Sequence, residues 1–207
     1  MAAATESSPA ATAAASGAWE WEGKVVSPVS AATADEAWAL LSDFLAFHRW
    51  HPRVAACRLA SGTPCLPGCL RYCEGTVPAP GDGGAAAPPD WAHETLLEYD
   101  AERRFFRYEM NDNNMGFGLF FATFRVVPAA PGAAGCELRW EFECEPVRGT
   151  AREALVARLQ AGLDGMAARV RDHVLAARAA AGKAAAVAGP ALEAAAGELK
   201  LDNSIAI

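Results

Sequence analysis

Long apolar runs are missing from this sequence. No stretch approaches the roughly 18 consecutive apolar residues that a membrane-crossing helix needs, so no such span is expected. Basic clusters are missing as well. The 18 Lys and Arg are scattered among 25 Asp and Glu, and the net charge of −7 sets up a field that repels phosphate backbones. Nucleic acid is therefore not an expected partner. The paired C-x-x-C spacing of structural zinc sites is also absent. Cys65, Cys69 and Cys73 recur every fourth residue, and His48, His51, His93 and His173 are spread out. No metal and no organic cofactor is expected. Residues 1–18 are rich in Ala, Ser and Thr but lack a basic n-region and a solid apolar h-region. They read as a disordered leader on a cytoplasmic protein, whose six cysteines that compartment keeps reduced.

What is present suits one globular domain. At 207 residues, 52% of them apolar, the chain can fill one core and has little material for a second. Trp19, Trp21, Val25 and Ser27 share one parity and predict a strand. Thr33-Ala-Asp-Glu36 reads as a capping box ahead of Ala37, Trp38, Leu40 and Leu41. A second short helical piece, 44–50, is stopped by Pro52. Strands are then predicted over 54–60, 69–76, 91–99, 104–110 and 119–128, with a Pro/Gly/Ala loop at 77–89 and a polar connection at 111–118.

The clearest strand is 136–145. Cys136, Leu138, Trp140, Phe142 and Cys144 alternate with Glu137, Arg139, Glu141, Glu143 and Glu145, so one face is buried and the other wet, as in an antiparallel sheet. After Gly149 the period becomes helical: Leu155, Leu159, Leu163, Met166, Val170 and Val174 form one apolar stripe. Gly182 and Pro190 are expected to end the packed helix, leaving an Ala-rich tail over 181–207. The fold class is α+β: about seven antiparallel strands around one long C-terminal helix, with two short helices after strand 1. A curved sheet and one helix leave a space between them, and that space is the expected pocket.

Several stretches carry a likeness to a known family: Trp21-Glu-Gly-Lys-Val25, Glu36-Ala-Trp-Ala-Leu-Leu41, Asp43-Phe44 with His48, Gly68-Cys-Leu-Arg-Tyr72, and Trp91-Ala-His-Glu94. From about Trp19 to Val174 the chain resembles the plant lachrymatory-factor synthases, in the START-like polyketide cyclase and lipid-transport group. The resemblance implies a helix-grip domain over 19–180 that encloses a small hydrophobic or sulfur-containing molecule. It also implies a cofactor-free isomerisation of an alkenyl sulfenic acid to a thial S-oxide by a cavity-facing Arg and Glu, which match Arg71 and Glu94. A cavity Tyr of that family matches Tyr108. A second falls on Phe120, which lacks the hydroxyl.

The residues themselves leave two readings of Arg71 and Glu94. Arg71 shares parity with Cys69 and Cys73, and Glu94 with Ala92 and Leu96. On the inner faces of neighbouring strands they would be a partly desolvated pair; on the outer faces, an exposed ion pair of less than about 1 kcal/mol. Trp140, Phe142, Phe124, Tyr108, Phe106 and Trp50 are candidates for the cavity lining or for plain core. His48 and His51 lack a third ligand and read as surface or capping residues. Asn111-Asp-Asn-Asn114 reads as a cavity-mouth loop or as a simple hairpin connection. Besides the isomerase, a non-catalytic carrier or sensor of a hydrophobic plant metabolite remains as a second function.

Overall fold

The computed structural model describes residues 19–77 and 88–201, with side chains through residue 184. The leader at 1–18 and most of the Pro/Gly/Ala loop lie outside the described residues. Strand β1 (Trp21–Val29) opens the domain. Helix α1 (Ala34–Leu41) follows, then a 3-10 turn (Phe44–Ala46) and helix α2 (Phe47–Trp50). Both halves of the capping box are present: Glu36 N donates to Thr33 Oγ1 at 3.2 Å, and Thr33 N donates to Glu36 Oε2 at 2.8 Å. Six strands come next, namely β2 (Val54–Ser61), β3 (Leu70–Gly75), β4 (Trp91–Asp100), β5 (Phe105–Asn113), β6 (Phe120–Pro128) and β7 (Cys136–Cys144). Helix α3 (Arg152–Leu201) closes the chain.

The seven strands form one antiparallel sheet in the order β1-β7-β6-β5-β4-β3-β2. Each strand from β2 to β7 pairs with its sequence neighbour, and β1 returns beside β7 with Trp21 opposite Cys144 and Val29 opposite Cys136. Along β7 the even positions are buried and the odd ones half-exposed, as the alternation requires. The curved sheet wraps α3, which lies against β1 and β7, and this is the helix-grip architecture.

The stripe on α3 fills the grip. Leu155, Leu163, Met166, Val170 and Val174 are buried, and each such side chain stabilises the fold by roughly 1.5–3 kcal/mol. A polar clasp fixes the helix on β1. The buried Ser27 hydroxyl donates to Asp164 Oδ1, and Gln160 Nε2 donates to Val26 O at 3.0 Å and to Ser27 Oγ at 3.1 Å. The helix continues through Gly182 and Pro190 to Leu201, beyond the expected stop, while among the described side chains its buried positions end at Val174. The alanines that dominate the segment after Val174 are the best helix formers, which accounts for the helix running through Gly182, since one glycine costs only about 1 kcal/mol.

Candidate functional site

Strands β3 and β4 pair with Arg71 directly opposite Glu94. Both side chains point to the concave face, because their parity partners Cys69, Cys73, Ala92 and Leu96 are buried there. Arg71 is 0% exposed and Glu94 6%. The desolvated pair is therefore what the fold builds, and the exposed cross-strand reading is set aside. Arg71 Nε donates to Glu94 Oε2 at 2.7 Å. Nη2 lies 2.7 Å from the same oxygen as an ion contact off the hydrogen-bonding line. Nη1 donates to the carbonyl of Phe44, and the guanidinium plane sits 3.7 Å from the Phe44 ring centroid and 4.7 Å from that of Phe47. Burial alone would loosen the guanidinium proton, but the Glu94 carboxylate outweighs it and the Arg71 pKa is raised. Arg71 is a fixed cation.

In front of this pair lies a cavity of about 110 Å³. Glu94, Tyr108, Phe120 and Trp140 stand on its wall. Arg71 does not: it sits behind Glu94, with Nε and Nη1 hydrogen-bonded and Nη2 in ion contact with the same carboxylate oxygen. All the contacts Glu94 receives fall on Oε2, Cys73 Sγ at 3.8 Å included. Oε1 is left without a protein partner among the described residues. Tyr108 is buried, and its hydroxyl accepts the indole N–H of Trp140 at 3.1 Å. Burial first, and then Glu94, push the Tyr108 pKa well above its usual value. The phenol therefore keeps its proton and can donate it to a bound molecule.

Four expected lining residues, Phe106, Phe124, Phe142 and Trp50, do not reach the cavity. Phe142 shares the buried face with Trp140, but its ring occupies the space beside Gly23, where any Cβ would collide with it. Phe124 stacks on Phe106 at 5.3 Å. Trp50 meets His173 edge-on at 5.5 Å, where α2 approaches α3. Facing the core is a matter of parity, whereas facing the cavity also depends on where α3 leaves room.

His51 is the C-cap residue of α2, as the capping reading expected, but it is a wall residue of the cavity and not a surface one. Its ring stacks on Phe47 at 5.0 Å and meets Trp140 edge-on at 5.9 Å. Its Nδ1 accepts the backbone N–H of Arg53 at 3.3 Å, which places the proton of the neutral ring on Nε2. Burial, helped by the charges of Arg53, Arg158, Arg169 and Arg71, lowers its pKa from 6.5 to about 4. Gly162 of α3 makes room for the imidazole, and Gly165 does the same for Pro52. These two helix-interior glycines, three residues apart, were the available signal of a close approach.

The asparagines of the connection are hydrogen-bonded. Asn113, the last residue of β5, accepts with Oδ1 from Met115 N at 3.0 Å and Phe117 N at 3.1 Å. Asn114 Oδ1 accepts from Trp91 N at 2.7 Å. The turn so fixed presents Met115 and Phe117 to the cavity. At the solvent end, Arg158 of α3 bonds Asp90 at 2.6 Å, both side chains being part-exposed. Sequence reading missed Met115, Phe117 and Arg158, since their placement depends on side-chain caps and on α3 crossing the sheet.

The model of the polyketide cyclase / dehydrase and lipid transport family matches residues 23–171. The chain belongs to this family. Solved structures agree on the fold. XoxI of Bacillus cereus is 15% identical with a TM-score of 0.57, the match covering 74% of this chain and 95% of that one. A solution structure from Thermobifida fusca is 29% identical with a TM-score of 0.56, covering 72% and 92%. The crystal structure of Ara h 8.0201 is 13% identical with a TM-score of 0.53, covering 75% and 98%. Within the polyketide cyclase / dehydrase and lipid transport family, the buried Arg71–Glu94 pair beside a cavity is the feature on which a reading of this chain turns. Among the described residues no helix is long and apolar enough to cross a membrane.

Proposed function

We propose that the cavity performs a cofactor-free proton shift on a small neutral molecule, with Glu94 as the proton carrier. The observation that carries this reading is the asymmetry of the carboxylate: Oε2 is tied to Arg71, while Oε1 is unengaged on the cavity wall. A carboxylate held so rigidly can take a proton from one ligand atom and return it to another with little reorganisation. The resemblance to the plant lachrymatory-factor synthases names the reaction: an alkenyl sulfenic acid becomes a thial S-oxide. Glu94 accepts the sulfenic O–H proton and a proton is returned to the alkenyl carbon remote from sulfur. The C=C pair shifts and a C=S bond forms, so the change is an isomerisation. The sulfenate oxygen is held by the Tyr108 hydroxyl, because Arg71 is shielded behind Glu94. Arg71 is thus a positioning residue, which amends the role that the resemblance alone implies.

Cavity size supports a small substrate. A dry cavity of about 150 Å³ holds benzene, so 110 Å³ suits a molecule of a few heavy atoms better than a lipid tail. The carrier reading draws its support from Phe120, where the missing hydroxyl deprives the site of a second donor. The deciding assay supplies freshly generated alkenyl sulfenic acid to wild type and to Glu94→Gln. Thial S-oxide from wild type, reduced at least 100-fold in the variant, is the expected result. No product from a wild-type protein that still binds apolar dyes would put the carrier reading first.

A further inference from the structure

Cys57 of β2 and Cys73 of β3 stand directly opposite each other in the antiparallel register. Opposed residues of such a pair have Cα atoms about 4.5–5.5 Å apart, inside the roughly 4.4–6.8 Å range a disulfide bridges. Their sulfurs are 2.7 Å apart as free thiols, so a bond requires only a small side-chain rotation. Neither thiol has a part in the proton shift. Cys73 lies on the cavity wall, and its sulfur is 3.8 Å from Glu94 Oε2. Cys57 is only half-buried, on the edge strand of the sheet.

We infer that Cys57 and Cys73 form a redox-active dithiol that small hydroperoxides oxidise to a cross-strand disulfide. This holds whichever molecule the cavity accepts. The roles within the pair follow from their surroundings. The hydrogen bond from Cys73 lowers the Cys57 pKa against the effect of burial, with help from the charge of Arg71. The same hydrogen bond, together with burial, raises that of Cys73. Cys57, half-buried on the edge strand, is the thiol a hydroperoxide reaches first and is the attacker, and the buried Cys73 is the resolving thiol. The Cys57 sulfur attacks the O–O bond of the hydroperoxide, giving Cys57–SOH and releasing an alcohol, or water from hydrogen peroxide. The Cys73 sulfur then displaces the hydroxyl, which leaves as water with the Cys73 proton, and the S–S bond forms. Two electrons pass from the sulfur pair to the peroxide. Oxidation deletes the thiol that touches Glu94 and staples β2 to β3.

The test treats the reduced full-length protein with one equivalent of hydrogen peroxide, alkylates the remaining thiols and maps the digest by mass spectrometry. The expected product is an intramolecular Cys57–Cys73 peptide lighter by two hydrogens, with the other four of the six cysteines alkylated. Dithiothreitol should reverse it. Cys57→Ser and Cys73→Ser should each abolish the disulfide, whereas Cys65→Ser should form it as wild type does. Alkylation of both Cys57 and Cys73 after treatment would overturn the inference. So would a disulfide that joins either of them to another cysteine.

Discussion

The indole N–H of Trp140 points at the hydroxyl of Tyr108, 3.1 Å away across the buried face of β5, β6 and β7. A phenol that accepts this bond has its own proton to give, and Tyr108 stands on the cavity wall. Tyr108→Phe removes the donor proposed for the substrate oxygen and strands the indole N–H. Turnover should fall by about 10²-fold, in the range seen when one oxyanion donor is lost. Stability should drop by about 1–3 kcal/mol, the cost of a buried donor left unpaired. Steady-state kinetics beside urea unfolding would separate the two effects; unchanged turnover would remove Tyr108 from the site.

Arg71 and Glu94 hold each other in a place where neither charge could stand alone. Arg71→Met leaves a buried carboxylate without its cation and should cost about 3–5 kcal/mol. The double variant Arg71→Met/Glu94→Gln should cost less than the two single variants together, since no charge is stranded. Urea unfolding of the four proteins closes the cycle, and strict additivity would show that the pair is not coupled.

His51 predicts an acid sensitivity with a defined window. Its folded pKa is about 4 against 6.5 in the unfolded chain, so between those values the unfolded state binds more protons. Its contribution to stability is therefore complete above pH 6.5 and is lost as the pH falls toward 4. The full amount is on the order of 3 kcal/mol. Thermal melts from pH 7 to 4 should fall less steeply in His51→Gln than in wild type. Parallel curves would show that the ring is not held neutral by burial.

Gly162 reverses the usual rule for helices. On an exposed helix face Gly→Ala stabilises by about 1 kcal/mol. Here the new methyl would run into the His51 imidazole, and the ring could yield only toward the cavity. Gly162→Ala should cost about 1–3 kcal/mol, as overpacking does, and weaken the binding of an apolar probe dye. A gain in stability would show that the wall can give way.

Parity made the Arg71–Glu94 pair legible. Arg71 falls between two cysteines and Glu94 between Ala92 and Leu96, and a charge on a small-residue face is a visible anomaly. The alternation of 136–145 and the stripe from Leu155 to Val174 likewise placed the sheet and its helix. Periodicity could not distinguish core from cavity, so Phe106, Phe124, Phe142 and Trp50 were grouped with Tyr108 and Trp140 although they share only the buried side. His51 was hidden for a different reason. It lies in the link after α2, where no period operates, and only the complementary gaps at Gly162 and Gly165 betray what packs there. Arg71 showed that a residue can belong to a site without touching what the site holds.

The one-sided grip of Arg71 on Glu94 has a bearing on what can enter. Two of the guanidinium nitrogens face a single oxygen and the third is spent on a carbonyl. The inner end of the cavity thus offers one acceptor and, among the described residues, no uncommitted cation. A guest that brings a carboxylate or phosphate would set a second negative charge beside Oε1 with nothing to neutralise it, a penalty of several kcal/mol in a desolvated site. A neutral molecule with a proton to lend would meet no such penalty. A cavity built in this way would select by charge before shape.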